Sequence, residues 1–233
     1  MISLIVYSTD SKRFHKFKTH PQHTDLNIIR IKNAKTVAEA YQGIKQYEQE
    51  LRHSDKLIFV HDDVFFRDNI VKREPAIDNL LSTNPKTIIG LAGTKYFDVR
   101  VSPCWWQNNQ RPNSLVGIVD HSEIKNGFKN TWTSSFGNYD KIVSSDNFNL
   151  PYSEVKVVDG LFLMMKKEYA FSDNPFKTAR GNHFYDVRAS LASNNVFAAD
   201  FRCVHEGLGD SMFSNDYTEE AQRLCRDVGT QKI

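Results

Sequence analysis

The chain has 233 residues, 40% hydrophobic and 25% charged, enough for one sizeable domain with its own core and ordinary for a soluble protein. Thirty Lys and Arg against 28 Asp and Glu leave a net charge of +2, so there is no electrostatic case for nucleic acid as the main partner. Three widely separated cysteines, Cys104, Cys203 and Cys225, suggest neither a disulfide framework nor a zinc knuckle and fit a reducing compartment.

The opening MISLIVYSTD has no basic leader, and no apolar run is long enough to span a membrane. The expected location is cytoplasmic, with peripheral contact at a membrane surface left open. ISLIVY (2–7) reads as a buried strand feeding a polar loop, and LNIIRI (26–31) as a second short strand. Between them SKRFHKFK (11–18) alternates basic and aromatic residues; it reads as a solvated loop, or as a contact for a diphosphate or an anionic membrane.

KTVAEAYQGIKQYEQEL (35–51) places Val37, Ala40, Tyr41, Ile44, Tyr47 and Leu51 on one helical stripe, with Thr36 and Glu39 spaced as a capping box. KLIFV (56–60) is a third strand. DNIVKREPAIDNLLS (68–82) predicts a helix broken near Pro75, and KTIIGLAG (86–93) a fourth strand. Strand and helix alternate as in a right-handed crossover sheet, which makes residues 1–100 the nucleotide-binding half of a single domain spanning 1–233. From Thr94 to about Asn149 the texture changes to Asn, Ser, Gly and Trp, with SLVGIV (114–119) the one plausible strand. Its aromatics, Trp105 and Trp132 among them, need somewhere to pack, so loops and short antiparallel strands are expected rather than disorder. VKVVDGLFLMM (155–165) predicts a strand interrupted at Asp159-Gly160. FYDVRASLASNN (184–195) predicts a helix, VFAADFRCVH (196–205) a last strand, and YTEEAQRLCRDV (217–228) a terminal helix.

Ligands of open α/β sheets bind beyond the carboxyl ends of the strands. Four polar clusters fall at such ends: Tyr7 to Asp10, His61 to Asp63, Asp159-Gly160, and His205-Glu206-Gly207. For Asp62 and Asp63 alone a solvated strand end or a helix cap is the favoured reading; four clusters together shift the reading to a site. A hard divalent cation takes carboxylate oxygens and keeps positions for substrate phosphates, so Asp63 is a candidate ligand and His205 a candidate nitrogen ligand. Mn²⁺ tolerates that mixed set better than Mg²⁺.

FVHDDVFF (59–66) resembles the modified DXD segment of nucleotide-sugar-dependent glycosyltransferases of the GT-A fold, in the family-two-like group named for a streptomycin-biosynthesis protein. IIGLAGTKYF followed by WW, VVDGLFLMMKKE, HFYDVRASL and CVHEGLG come in the same order, so the resemblance runs from the first strand to about Gly209. It implies an α/β fold of GT-A type, a mixed and mainly parallel sheet flanked by helices. It also implies transfer of a sugar from a nucleoside-diphosphate sugar, with UDP favoured by family habit alone, to a glycan or lipid-linked acceptor.

Laid onto this chain, the resemblance makes Asp63 and His205 the ligands of a Mn²⁺ or Mg²⁺ on the donor diphosphate, and puts Asp62 beside the donor ribose or sugar. Tyr7, Ser8, Asn33 and Gln42 would surround base and ribose. Asp159 and Gly160 would line the sugar and acceptor side, with Asp186 as general base. Asp186 could equally serve only to stabilise the start of its helix. Trp105 and Trp106 offer faces for a sugar ring or form a local core. Two positions depart from the pattern: His61 stands first in the triplet instead of aspartate, and FYD replaces the usual Glu-Asp pair. A non-catalytic nucleotide-sugar-binding protein is therefore the second reading. A metal-dependent phosphohydrolase is the third, disfavoured because its ligands would sit on helices rather than at a strand end.

Overall fold

Apolar runs that bury both faces draw the chain into sheets. The computed structural model describes residues 1–108, 111–125, 128–145, 148–207 and 215–229. In the first half the order is β1 (Ile2–Tyr7), α1 (Ser11–Lys18), β2 (Asn27–Ile31), α2 (Val37–Gln42), β3 (Lys56–His61), β4 (Val64–Phe66), α3 (Glu74–Ser82), β5 (Thr87–Gly90) and β6 (Ala92–Thr94). The middle holds β7 (Leu115–Lys125), β8 (Phe128–Gly137), β9 (Lys141–Ser145) and β10 (Phe148–Glu154). Then come β11 (Val157–Val158), β12 (Phe162–Lys166), α4 (Lys167–Ser172), α5 (Tyr185–Leu191), β13 (Asn195–Ala199), β14 (Cys203–Glu206) and α6 (Asn215–Gly229).

The main sheet has eight strands in the order β2-β1-β3-β12-β5-β13-β10-β9. β1 pairs in parallel with β2 and β3, and β5 with β13, whereas β12 and β10 run antiparallel to their neighbours. Six of the eight strands thus share one direction, the mixed and mainly parallel α/β arrangement implied by the GT-A resemblance. Along β1 and β3, Leu4, Val6, Ile58 and Val60 join one core cluster while Ile5, Leu57 and Phe59 join the other. This two-sided burial is why the sequence reads as continuous apolar runs rather than alternation.

A second sheet, β11-β6-β7-β14-β4 with β8 added on β7, stands at the carboxyl ends of the first. The Asn- and Ser-rich middle supplies it with a long hairpin, β7 and β8, longer than the short strands expected there.

Several elements differ from the sequence reading. Residues 11–18 form a helix, because Asp10 caps it by accepting from the backbone N–H groups of Lys12 (2.7 Å) and Arg13 (3.1 Å) and Phe17 is buried on its inner face. The stripe at 37–51 is buried apart from Tyr47, which is half-buried, and its helix is shorter than expected: it tightens to 3-10 geometry from Gly43 and ends at Tyr47. VFAADFRCVH is two strands in different sheets: the chain breaks at Asp200–Arg202, where Arg202 adopts φ 46°. The break expected near Pro75 is present: a 3-10 turn at Ile70–Arg73 gives way to α3, where Pro75 stands in the first turn and its missing N–H is not needed.

Candidate active site

Parallel pairing of β1 with β3 sets Tyr7 opposite His61, so the residues that follow, Ser8 and Asp62, lie side by side. The Ser8 hydroxyl donates to Asp62 Oδ2. From α1, Arg13 Nη1 reaches Asp62 Oδ1 at 3.5 Å and Asp63 Oδ2 at 3.8 Å, and Lys16 pairs with Glu206 across the same corner. The basic run at 11–18 therefore reaches the site through two of its cations.

β14 lies antiparallel to β4 with His205 opposite Val64, and the Glu206 N–H donates to the Asp63 carbonyl at 2.7 Å. His205 Nε2 stands 3.6 Å from Asp63 Oδ2, too far for a hydrogen bond but close enough for two ligands of one ion. Asp63 Oδ1 is buried with no hydrogen-bond partner. Burial by itself would lower His205, but the Asp63 carboxylate outweighs it and holds the imidazole above its ordinary value. For Asp63 burial acts upward, and the neighbouring His205 and His61 reverse it to a net lowering. An orphaned buried carboxylate oxygen beside an imidazole fits a divalent cation. Among the described residues no group of three or more His, Cys, Asp or Glu side chains is placed to hold such an ion alone. Among the described residues the acidic and imidazole side chains that meet at this corner are Asp63 and His205.

His61, the departure from the acidic triplet, turns away from this corner. Its Nε2 meets the Tyr185 hydroxyl, which in turn donates to the Gly160 carbonyl at 2.8 Å. The single phenolic proton is spent on Gly160, so His61 carries a proton on Nε2, and burial lowers the pKa of the ring. The histidine thus braces the Asp159-Gly160 turn. At the turn the Leu161 N–H donates to Asp159 Oδ1 at 2.6 Å.

A Cβ on Gly160 would lie 2.8 Å from the Tyr185 hydroxyl and 3.1 Å from Asp186 Cβ. Gly160→Ala is expected to cost about 1–3 kcal/mol of stability by overpacking. Because the closest atom is the hydroxyl, a Tyr185→Phe background should recover part of the loss. Additive losses in chemical denaturation of the double variant would refute the contact.

α5 begins from Phe184 in the left-handed region, φ 54°, an unusual state for a bulky residue and a mark of strain beside the site. The loop before it is held by Glu220 of α6, which accepts from the N–H groups of Asn182 (3.0 Å) and His183 (2.7 Å). Asp186 then faces the same space as Asp159. Burial first, and Asp159 second, push Asp186 from an ordinary 3.8 up to about 7.

These groups open onto one cavity of about 610 Å³ lined by His61, Asp63, Asp159, Gly160, Asp186 and His205. All three tryptophans of the chain, Trp105, Trp106 and Trp132, share its wall. Trp105 is buried against Trp106 and Phe136, with its indole N–H unpartnered. It is core and wall at once. Trp132 is 39% exposed and stacks on His121, rings 5.1 Å apart and 10° from parallel.

Across its matched span, residues 4–198, the chain fits the family model described as "Glycosyltransferase like family". The chain belongs to this family.

No curated protein matches the family member in sequence. Among solved structures it is similar to A197 from STIV, with 14% identity over 85% of this chain and 81% of that one and a TM-score of 0.43. A glycosyltransferase involved in glycosylation of the major capsid of PBCV-1 aligns over 96% of this chain and 98% of its own, with 10% identity and a TM-score of 0.39. HddC from Yersinia pseudotuberculosis aligns over 96% and 77%, with 11% identity and a TM-score of 0.35.

Of the residues singled out from sequence, the glycosyltransferase-like chain brings Asp63, Trp105, Asp159, Gly160, Asp186 and His205 to the cavity, with Asp62 and Ser8 behind its Asp63–His205 corner. His205 lies beyond the family-matched span. Three other residues are placed elsewhere. The Tyr7 hydroxyl donates to the Ala34 carbonyl at 3.3 Å, and Asn33 is exposed on the loop after β2. The Gln42 amide nitrogen is committed to the carbonyls of Phe176 (2.8 Å) and Ala179 (2.9 Å), tying α2 to the loop before α5. Sequence reading missed Tyr185, His121 and Trp132; the alternation of β7 and β8 could have put His121 and Trp132 on a common face, but only their pairing brings them together. No described helix is long and apolar enough to cross a membrane.

Proposed function

We propose that the protein moves a sugar from a nucleoside-diphosphate sugar, UDP-sugar by resemblance, to a hydroxyl of a glycan or lipid-linked acceptor, and that it is a member of the streptomycin-named group whose motif order it resembles. The observation that carries this reading is the two-sided cavity: an incomplete cation corner at Asp63 and His205, and a second, raised carboxylate at Asp186 on a different wall. A Mn²⁺ or Mg²⁺ held by Asp63 and His205 would supply charge stabilisation at the diphosphate as it leaves. Arg13, half exposed beside both aspartates, adds a fixed positive charge on the same side. The acceptor oxygen bonds to the anomeric carbon as the carbon–phosphate oxygen bond breaks, and Asp186 takes the hydroxyl proton. A base at about 7 is suited to that proton transfer near neutral pH.

Because Asp63 and His205 are the two candidate ligands that meet among the described residues, metal and nucleotide should bind cooperatively. In calorimetry Mn²⁺ is expected to give little heat with the free protein and a clear isotherm with protein saturated in UDP. Tight Mn²⁺ binding without nucleotide would favour a self-sufficient hydrolase-type site. A protein that binds UDP and Mn²⁺ but transfers no sugar would be the nucleotide-sugar sensor, the reading supported by His61 in the triplet.

A further inference from the structure

A second cavity of about 500 Å³ lies at the other end of α5, where Ser190 and Leu191 line it, while Asp186 near the start of the helix lines the first. Its walls combine two features. Tyr96 (46% exposed), Val101 (43%) and Leu191 (39%) are large apolar side chains left partly in water, and all three line this one cavity. Such side chains are unremarkable singly and informative when gathered in a concave site.

The second feature is charge. Four charged residues stand at this rim with differing commitments. Lys95 is spent on Asp140 at 2.7 Å, and Asp98 on Arg100 at 2.6 Å. Arg111 and Lys156 meet no carboxylate among the described residues. The Arg111 guanidinium lies over the Tyr96 ring, 4.4 Å from its centroid, which orients its fork while leaving its N–H groups for a ligand.

We propose that this cavity binds a phosphate monoester carrying an apolar chain, with Arg111 and Lys156 on the phosphate and Tyr96, Val101 and Leu191 along the chain. Two uncommitted cations balance a phosphate dianion, where a carboxylate would leave one over. Exposed ion pairs are weak and screened, so the head group alone does not hold; covering the three apolar side chains supplies the rest. The proposal stands apart from the glycosyl-transfer reading, since none of its residues lines the first cavity.

The test is calorimetric titration with geranyl phosphate, against geraniol and inorganic phosphate as half-ligands. Geranyl phosphate is expected to bind at least about tenfold more tightly than either half, as both features must contribute. The paired change Arg111→Gln with Lys156→Gln should weaken it by a further tenfold or more, order of magnitude for losing both charges, with the unliganded melting temperature unchanged because both side chains are exposed. Saturating UDP should leave the isotherm as it was. Binding that survives the paired change, that geraniol matches, or that UDP abolishes overturns the proposal. So does binding to phosphatidylglycerol vesicles without binding to geranyl phosphate, which would make the face a membrane contact.

Discussion

Replacing Asp186 with Asn is expected to lower transfer by roughly 10²–10⁴-fold, the usual contribution of a positioned general base, and at the same time to raise thermal stability at neutral pH. The two effects share one cause. Burial and the neighbouring Asp159 carboxylate hold Asp186 at about 7 against 3.8 for the ordinary side chain. Between those values the native protein keeps a proton that the unfolded chain has lost, so stability falls as pH rises through the window, and the cost is complete above about 7. Asparagine does not titrate. The variant should therefore melt above the wild type near pH 8 and lose that advantage below about pH 4, where both forms of the wild-type group are protonated. In the wild type, transfer should rise with pH through about 7 as the base is freed. Unchanged transfer in the Asn variant would remove Asp186 from the chemistry. A variant less stable than wild type at every pH would show that the carboxylate is a structural helix-start group instead.

Replacing Asp63 with Ala is expected to erase the metal-dependent share of nucleotide stabilisation. A ligand at about 100 times its Kd adds about 2.7 kcal/mol, roughly 5–10 °C for a chain of this size, so the wild type should show a shift of that order with UDP and Mn²⁺ together. In the Ala variant the shift should fall to that of UDP alone. Without ligand the variant should melt somewhat below the wild type, because the lowered Asp63 and raised His205 record a mutual attraction that the change removes, offset in part by the loss of a buried oxygen with no partner. A Mn²⁺ effect that survives in the variant would place the cation elsewhere; no nucleotide effect in the wild type with any metal would end the donor-site reading.

Much of the site could be read from the chain because its groups follow strands that announce themselves. FVHDDVFF combines an apolar run with carboxylates that cannot be buried unpaired, so its end had to be a surface, a partner or a ligand. The same holds for VVDG and CVHE. Gln42 shows the opposite case: it sits on the expected helix, yet the direction of its amide depends on the loop at 176–179, more than 130 residues away. Arg13 and Lys16 were visible as charges, but their arrival at Asp62, Asp63 and Glu206 needed α1 to form under its Asp10 cap.

Sequence by itself determined the strands β1, β2, β3, β5, β12 and β13, most of the buried stripe of 37–51 and the polar strand ends, since burial of both faces or of one stripe leaves a local and periodic mark, whereas β8, β9 and β10 left none that was read. Tertiary structure alone decided which of these ends meet. β14 leaves the first sheet for the second after Arg202, and that switch sets His205 beside Asp63 and next to His121. Cross-strand pairing lays Trp132 on His121. The strained start of α5, clamped from α6, aims Asp186 at Asp159. These contacts join residues far apart in the chain; local periodicity carries no record of them, because a strand's pattern states which face is buried and not which neighbour covers it.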